Sequence, residues 1–109
     1  LYIAGKIRFL LKDFEGAKQF LIKAFEMDKA EDIQNLLGLS YFELGDFAQA
    51  NVIFEDLLKQ SPGNINILIN RAKCFEKMND IPSALHELEH AVEIFPDCEE
   101  AHEMIRRLS

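Results

Sequence analysis

The chain has no tryptophan, only three prolines and only two cysteines in its 109 residues. Each scarcity removes a class of protein. Cys74 and Cys98 lie 24 positions apart without C-x-x-C spacing, which excludes a disulfide framework and gives no zinc signature. Reduced, partly buried thiols in a cytosolic setting are the simplest expectation. No run approaches 18 apolar residues, so no segment reads as a membrane span. Basic residues are also in short supply, 12 Lys and Arg against 19 Asp and Glu, a formal charge of −7. Neutralising nucleic-acid phosphates needs clustered Lys and Arg, so nucleic acid is not expected as the main partner. The same acidity disfavours an anionic membrane surface. No nucleophile–base motif, phosphate loop or paired-acid constellation occurs, so no catalytic residue and no cofactor is expected. The chain opens on Leu1 without Met and is expected to be a piece of a longer protein.

What is present is a folded composition, 49% hydrophobic and 28% charged, with nine phenylalanines. The charge is uneven: residues 1–30 carry six basic and four acidic groups, and residues 31–64 carry one basic and six acidic. The dominant feature is a recurring motif. Asp46-Phe47-x-x-Ala50-x-x-x-Phe54, with Pro62 beyond it, returns 34 residues later as Asp80-Ile81-x-x-Ala84-x-x-x-Leu88 with Pro96. A copy 33 residues upstream reads Asp13-Phe14-x-x-Ala17-x-x-x-Leu21. A fixed period of this size marks a stacked repeat in which each unit buries its apolar face against its neighbours.

Every segment between the turns has helical periodicity. Phe47, Ala50, Ile53, Phe54, Leu57 and Leu58 fall on one stripe of a 3.6-residue helix over 47–60. The same pattern predicts helices over 14–27 and 81–95, each preceded by a more mixed helix, at 1–11, 31–44 and 65–78. A seventh is expected at 98–108. Gly45 and Asn79 stand where a helix must end in a left-handed residue, and Lys12 takes that place in the first copy. Asp13, Asp46 and Asp80 follow as caps of the next helix. Pro82 suits a first helical turn, while Pro62 and Pro96 stop the helices before them. Gly5, Gly38 and Ala72 are small where two helices of a pair should cross, with Ala17, Ala50 and Ala84 as counterparts. Phe14, Phe47 and Ile81 are expected to fill the gap between one pair and the next.

In register, the second copy reads Leu37-Gly38, Tyr41, Gly45-Asp46-Phe47, Ala50, Phe54, Leu57 and Pro62. The third reads Arg71-Ala72, Phe75, Asn79-Asp80-Ile81, Ala84, Leu88, Ala91 and Pro96, and the first Ala4-Gly5, Asp13-Phe14, Ala17, Leu21 and Ala24. This pattern resembles the tetratricopeptide repeat (TPR), a 34-residue helix–turn–helix unit, and the resemblance covers nearly the whole chain. Gln34 and Leu68 stand at the family's early Trp, Arg71 replaces its Leu, and the first copy lacks the closing Pro. The resemblance implies an all-α, right-handed superhelical solenoid of antiparallel helix pairs. It implies one domain over 1–109, with repeats at about 1–30, 31–64 and 65–98 and a capping or partial-repeat helix at 99–108. Glu99, Glu100, Glu103, Arg106 and Arg107 are expected on the outside of that last helix.

The resemblance further implies a concave groove, lined by the first helix of each pair, in which a partner is bound. Carried over residue by residue, the binding positions are Tyr2, Lys6 and Phe9, then Asp32, Asn35, Leu39 and Phe42, then Asn66, Ile69, Lys73 and Glu76. The resemblance thus implies a protein–protein interaction module for a helix or extended peptide that is partly apolar, with acidic groups for Lys6 and Lys73. Alternatives are a spacer or self-assembly segment of a longer solenoid, associating through its ends, and an accessory region of a multidomain enzyme. Some members hold acidic chaperone tails in a clamp of Lys and Asn, then Asn, then Lys and Arg. The corresponding residues are Tyr2, Lys6, Leu36, Asn66 and Asn70, which cannot converge on a carboxylate, so a chaperone-tail receptor is not expected. His86 and His90 form an i, i+4 pair near Glu87, Glu89 and Glu93, and Cys98 with His102 forms another; both are expected to be surface and not metal sites. The acidity and size favour a cytoplasmic location.

Overall fold

The computed structural model describes residues 1–109, which form seven α-helices and no strand. They are α1 (Tyr2–Leu10), α2 (Phe14–Met27), α3 (Glu31–Glu43), α4 (Phe47–Gln60), α5 (Ile65–Lys77), α6 (Ile81–Ile94) and α7 (Glu99–Leu108). Each predicted helix is present within one or two residues of its expected ends. The chain divides into two compact units, Leu1–Ile53 and Phe54–Ser109.

The joints between paired helices explain the repeat's punctuation. After α1, the Asp13 N–H donates to the Arg8 carbonyl and the Lys12 N–H to that of Phe9. After α3, Asp46 donates to Tyr41 and Gly45 to Phe42; after α5, Asp80 donates to Phe75 and Asn79 to Glu76. This is one Schellman motif made three times, and it requires a left-handed residue at its second position. Lys12, Gly45 and Asn79 have φ of 64°, 83° and 60°. The aspartate that closes each joint then caps the next helix. Asp13, Asp46 and Asp80 accept from the N–H groups of Gly16, Gln49 and Ser83 at 3.0, 3.2 and 3.3 Å. Asn64 caps α5 in the same way through Ile67.

In the first unit, α2 packs against both α1 and α3. Ala17, Leu21, Ala24, Ile33 and Leu37 form its buried core. A methyl group on Gly5 would lie 2.7 Å from Leu21 Cγ, so the crossing of α1 and α2 depends on glycine there. The Phe14 ring meets Phe9 edge-on at 5.2 Å, and Phe47 meets Phe42 at the same separation. The joint turns the chain back on itself, so rings five residues apart meet across it and close the mouth of their own pair.

In the second unit, α6 packs between α5 and α7 around Leu68, Ile69, Ala72, Ala84, Leu88, Ala91, Ala101 and Met104. Arg71 enters this layer. Its guanidinium is 3.0 Å from the Glu87 carboxylate and 3.8 Å from Glu55, and it lies over the Phe75 ring at 5.0 Å. Glu87 is itself buried, at 8% exposure. Thirty-four residues earlier the same two positions hold Leu37 and Ile53, which belong to the apolar core of the first unit. The third copy has exchanged an apolar pair for an ion pair. Cys74 and Cys98 are buried free thiols, and burial pushes the Cys74 thiol up to about 12, with Arg71 opposing weakly.

Two outcomes follow for stability. Lys12→Gly removes a left-handed cost of about 1 kcal/mol and adds about 0.5 kcal/mol of chain freedom to the unfolded state. Thermal unfolding should therefore show a melting point about 2–4 °C higher, whereas Gly5→Ala should lose about 1–3 kcal/mol by overpacking against Leu21. For the ion pair, Glu87→Ala should destabilise by about 1–3 kcal/mol, since a partly buried guanidinium loses its nearest carboxylate. The double change Arg71→Leu with Glu87→Ile should recover that loss in denaturant titrations, because it restores the apolar pair of the second copy.

Candidate functional site

The candidate positions lie on the first helix of each pair, and each unit holds its own set. In the first unit, Tyr2 and Phe9 on α1 are half-buried against the cluster of Ala17, Leu21, Ile33 and Leu37. Their helical spacing leaves Lys6 exposed on the same helix. On α3, Asn35, Leu39 and Phe42 are half-buried and Asp32 is exposed. Phe42 is held on one side by the Phe47 ring.

Asn35 is the exceptional member of this set. Its Oδ1 is shielded from solvent and accepts no hydrogen bond. A buried acceptor without a donor costs about 1–3 kcal/mol, and unpaired groups of this kind are rare in folded proteins. The sequence pointed to Asn35 by position alone; its unpaired oxygen is visible only in three dimensions.

In the second unit α7 has taken most of the predicted face. Ile69, expected to be open, is 3% exposed and packed in the cluster that contains Ala101 and Met104 of α7. Lys73 is 3.0 Å from Glu100, so its charge is already matched and it is not the open cation expected for an acidic partner. Glu76 receives both guanidinium nitrogens of Arg107, one of them at 3.2 Å. Asn66 alone of the α5 positions Asn66, Ile69, Lys73 and Glu76 is exposed. These contacts arise because an apolar strip of α7 (Ala101, Met104, Ile105 and Leu108) joins the core while its charged residues stay at the edges. Glu99, Glu100, Glu103, Arg106 and Arg107 are all exposed, as a solvated outer side requires.

The proposed clamp positions contain no convergent set of donors. Leu36, at the central position, packs against the first unit's core. His86 and His90 are exposed on α6, where they share a shallow depression of 260 Å³ with Glu89 and Glu93. No group of three potential ligands could hold a metal ion. The Cys98–His102 pair dissolves, because Cys98 is buried and the His102 Nε2 lies 2.6 Å from the Pro96 carbonyl, to which it can donate. Glu87, grouped in sequence with the histidines, instead turns inward to Arg71. No helix is long and apolar enough to cross a membrane.

The hydrogen bond from Arg107 holds the Glu76 carboxyl below its ordinary value of 4.5. Its stabilising contribution is therefore full above that value and declines as pH falls through the depressed folded one. The stability difference between the native chain and Glu76→Gln should shrink as unfolding is measured from about pH 6 down to about pH 3. A difference that stays constant would show that the pair does not bind α7 to α5 electrostatically.

Comparison with known proteins places these features in a family. A family model described as tetratricopeptide repeat matches residues 41–108, and a second with the same description matches 1–31. No curated protein matches the chain at a significant level. Among solved structures, the first TPR of Spaghetti (RPAP3) bound to the HSP90 peptide SRMEEVD is similar, with a TM-score of 0.90 at 18% identity. That similarity covers 98% of this chain and 86% of the other. The Arabidopsis OM64 TPR domain gives 0.89 at 19% identity over 98% and 89% of the two chains. YrrB, a TPR protein with an unusual peptide-binding site, gives 0.91 at 22% identity over 96% and 55%. Identities this low establish a shared fold.

Proposed function

The chain is a member of the tetratricopeptide repeat family, and from that membership we propose that it is a non-catalytic interaction module whose first helices hold a partner peptide. The observation that carries this reading is that Leu39 and Phe42 stand half-buried together on α3, where they give a peptide an apolar contact, while the exposed Lys6 on α1 offers a positive charge. The preferred segment is therefore partly apolar with a single acidic group. Lys73 has no share in this recognition, because Glu100 already holds it.

Peptide binding in the RPAP3 relative supports the general reading, since that domain is bound to an HSP90 peptide. It does not extend to the same ligand. Tyr2, Leu36, Asn66 and Asn70 cannot supply the charged donors that a terminal carboxylate needs.

The test uses peptides selected on the 109-residue chain from a random display library. Phe42→Ala should weaken the selected peptides about tenfold, by loss of an aromatic contact of the kind that dominates interfaces. Asn35→Leu should leave the free chain equally or more stable, since it removes an unpaired acceptor. Leu39→Glu should abolish binding. Peptides indifferent to Phe42→Ala and Leu39→Glu would overturn the assignment.

A further inference from the structure

The repeat sets opposite charges on neighbouring first helices, and one such pair is closed while its counterpart is open. Lys73 of α5 and Glu100 of α7 meet at 3.0 Å. Two copies before Lys73 stands Lys6, with Leu39 between, and two copies before Glu100 stands Asp32, with Asn66 between. Lys6 and Asp32 therefore occupy the positions of the closed pair, on α1 and α3, which touch directly. Both side chains are exposed. No carboxylate lies within ion-pair distance of Lys6, and no cation lies within that distance of Asp32.

Local structure does not account for the open charges. Asp32 is in the first turn of α3, where a carboxylate favours the helix terminus, but Glu100 has the same place in α7 and still binds Lys73. Glu31 already supplies a second carboxylate to that turn of α3. Lys6 is the one unmatched charge of α1, since Arg8 is 3.5 Å from Asp13. In the second unit the lysine answers to the copy that follows it, and for Lys6 that copy, beginning with α3, is present.

The apolar candidates continue the same lines. Leu39 and Phe42 follow Asp32 at i+7 and i+10 on α3, and Phe9 follows Lys6 at i+3 on α1. A cation and an anion beside an apolar line select a ligand that carries both charges. In an extended segment alternate residues point the same way and lie about 6–7 Å apart, which suits two side chains on contacting helices that do not reach each other. Building on the peptide site of α1 and α3, we propose that the first unit holds an extended segment with an Asp or Glu and a Lys or Arg two residues apart. The acidic residue meets Lys6 and the basic one meets Asp32, and apolar residues run on towards Phe42.

Peptides selected on the 109-residue chain should carry this charged pair, and fluorescence anisotropy with one of them tests it. Lys6→Glu and Asp32→Lys should each weaken binding about tenfold, the effect of an exposed attraction replaced by a repulsion. The doubly reversed chain should prefer, by about the same factor, the peptide with its two charges exchanged. Circular dichroism should be unchanged, because both positions are exposed. Peptides that need Leu39 but ignore both reversals would overturn the charge assignment and leave the apolar site standing. Peptides that ignore Leu39 as well would overturn both. A stability coupling between Lys6 and Asp32 in the free chain equal to that between Lys73 and Glu100 would also overturn the charge assignment, since the two would then match each other. So would a concentration-dependent dimer lost on Asp32→Lys.

Discussion

The close crossing of paired helices at small residues is the constraint on which the rest of this structure depends. Gly5 lets α1 meet Leu21 where a single added methyl group would collide. Ala17, Ala50, Ala72 and Ala84 are completely buried at the corresponding places. With backbones this near, each pair can be joined by a short Schellman turn. That turn in turn demands a left-handed residue followed by an aspartate that caps the next helix. The turn then brings Phe9 to Phe14 and Phe42 to Phe47, so the aromatic closure of a pair follows from the crossing that precedes it.

The second unit shows how far the apolar plan can be altered while the packing is kept. Arg71 and Glu87 occupy positions that Leu37 and Ile53 fill one copy earlier. An isolated charge in that layer would be costly, and the pair is tolerable because the two partners arrive together, with Phe75 beneath the guanidinium. Arg107 with Glu76 and Lys73 with Glu100 then fasten α7 along α5. Charged side chains of α5 are thereby engaged in holding the last helix.

Much of the fold was legible in the sequence. A period of 34 with Ala50 matched by Ala84, and Gly45-Asp46 matched by Asn79-Asp80, sets helix lengths, joints and caps through local rules of periodicity and capping. Even Lys12 obeyed the register, taking the left-handed conformation against its own preference because the hydrogen bonds to Arg8 and Phe9 leave no alternative. The candidate site was less legible. Position alone placed Ile69 and Lys73 with Lys6 and Asn35, although the second unit's core buries the first and Glu100 of α7 pairs with the second.

Local sequence thus determined the seven helices, their joints and the faces they turn to one another, because each depends on residues at most a few turns apart. The tertiary structure decided which polar groups remain available. Asn35 keeps an unpaired oxygen, Glu87 turns inward to Arg71, and Lys73 is matched by Glu100. Those outcomes depend on partners 16 to 27 residues away in the chain for the two ion pairs, and on the absence of a donor to the Asn35 oxygen. No local periodicity encodes them, because a side chain's pairing is settled only when helices distant in sequence have packed.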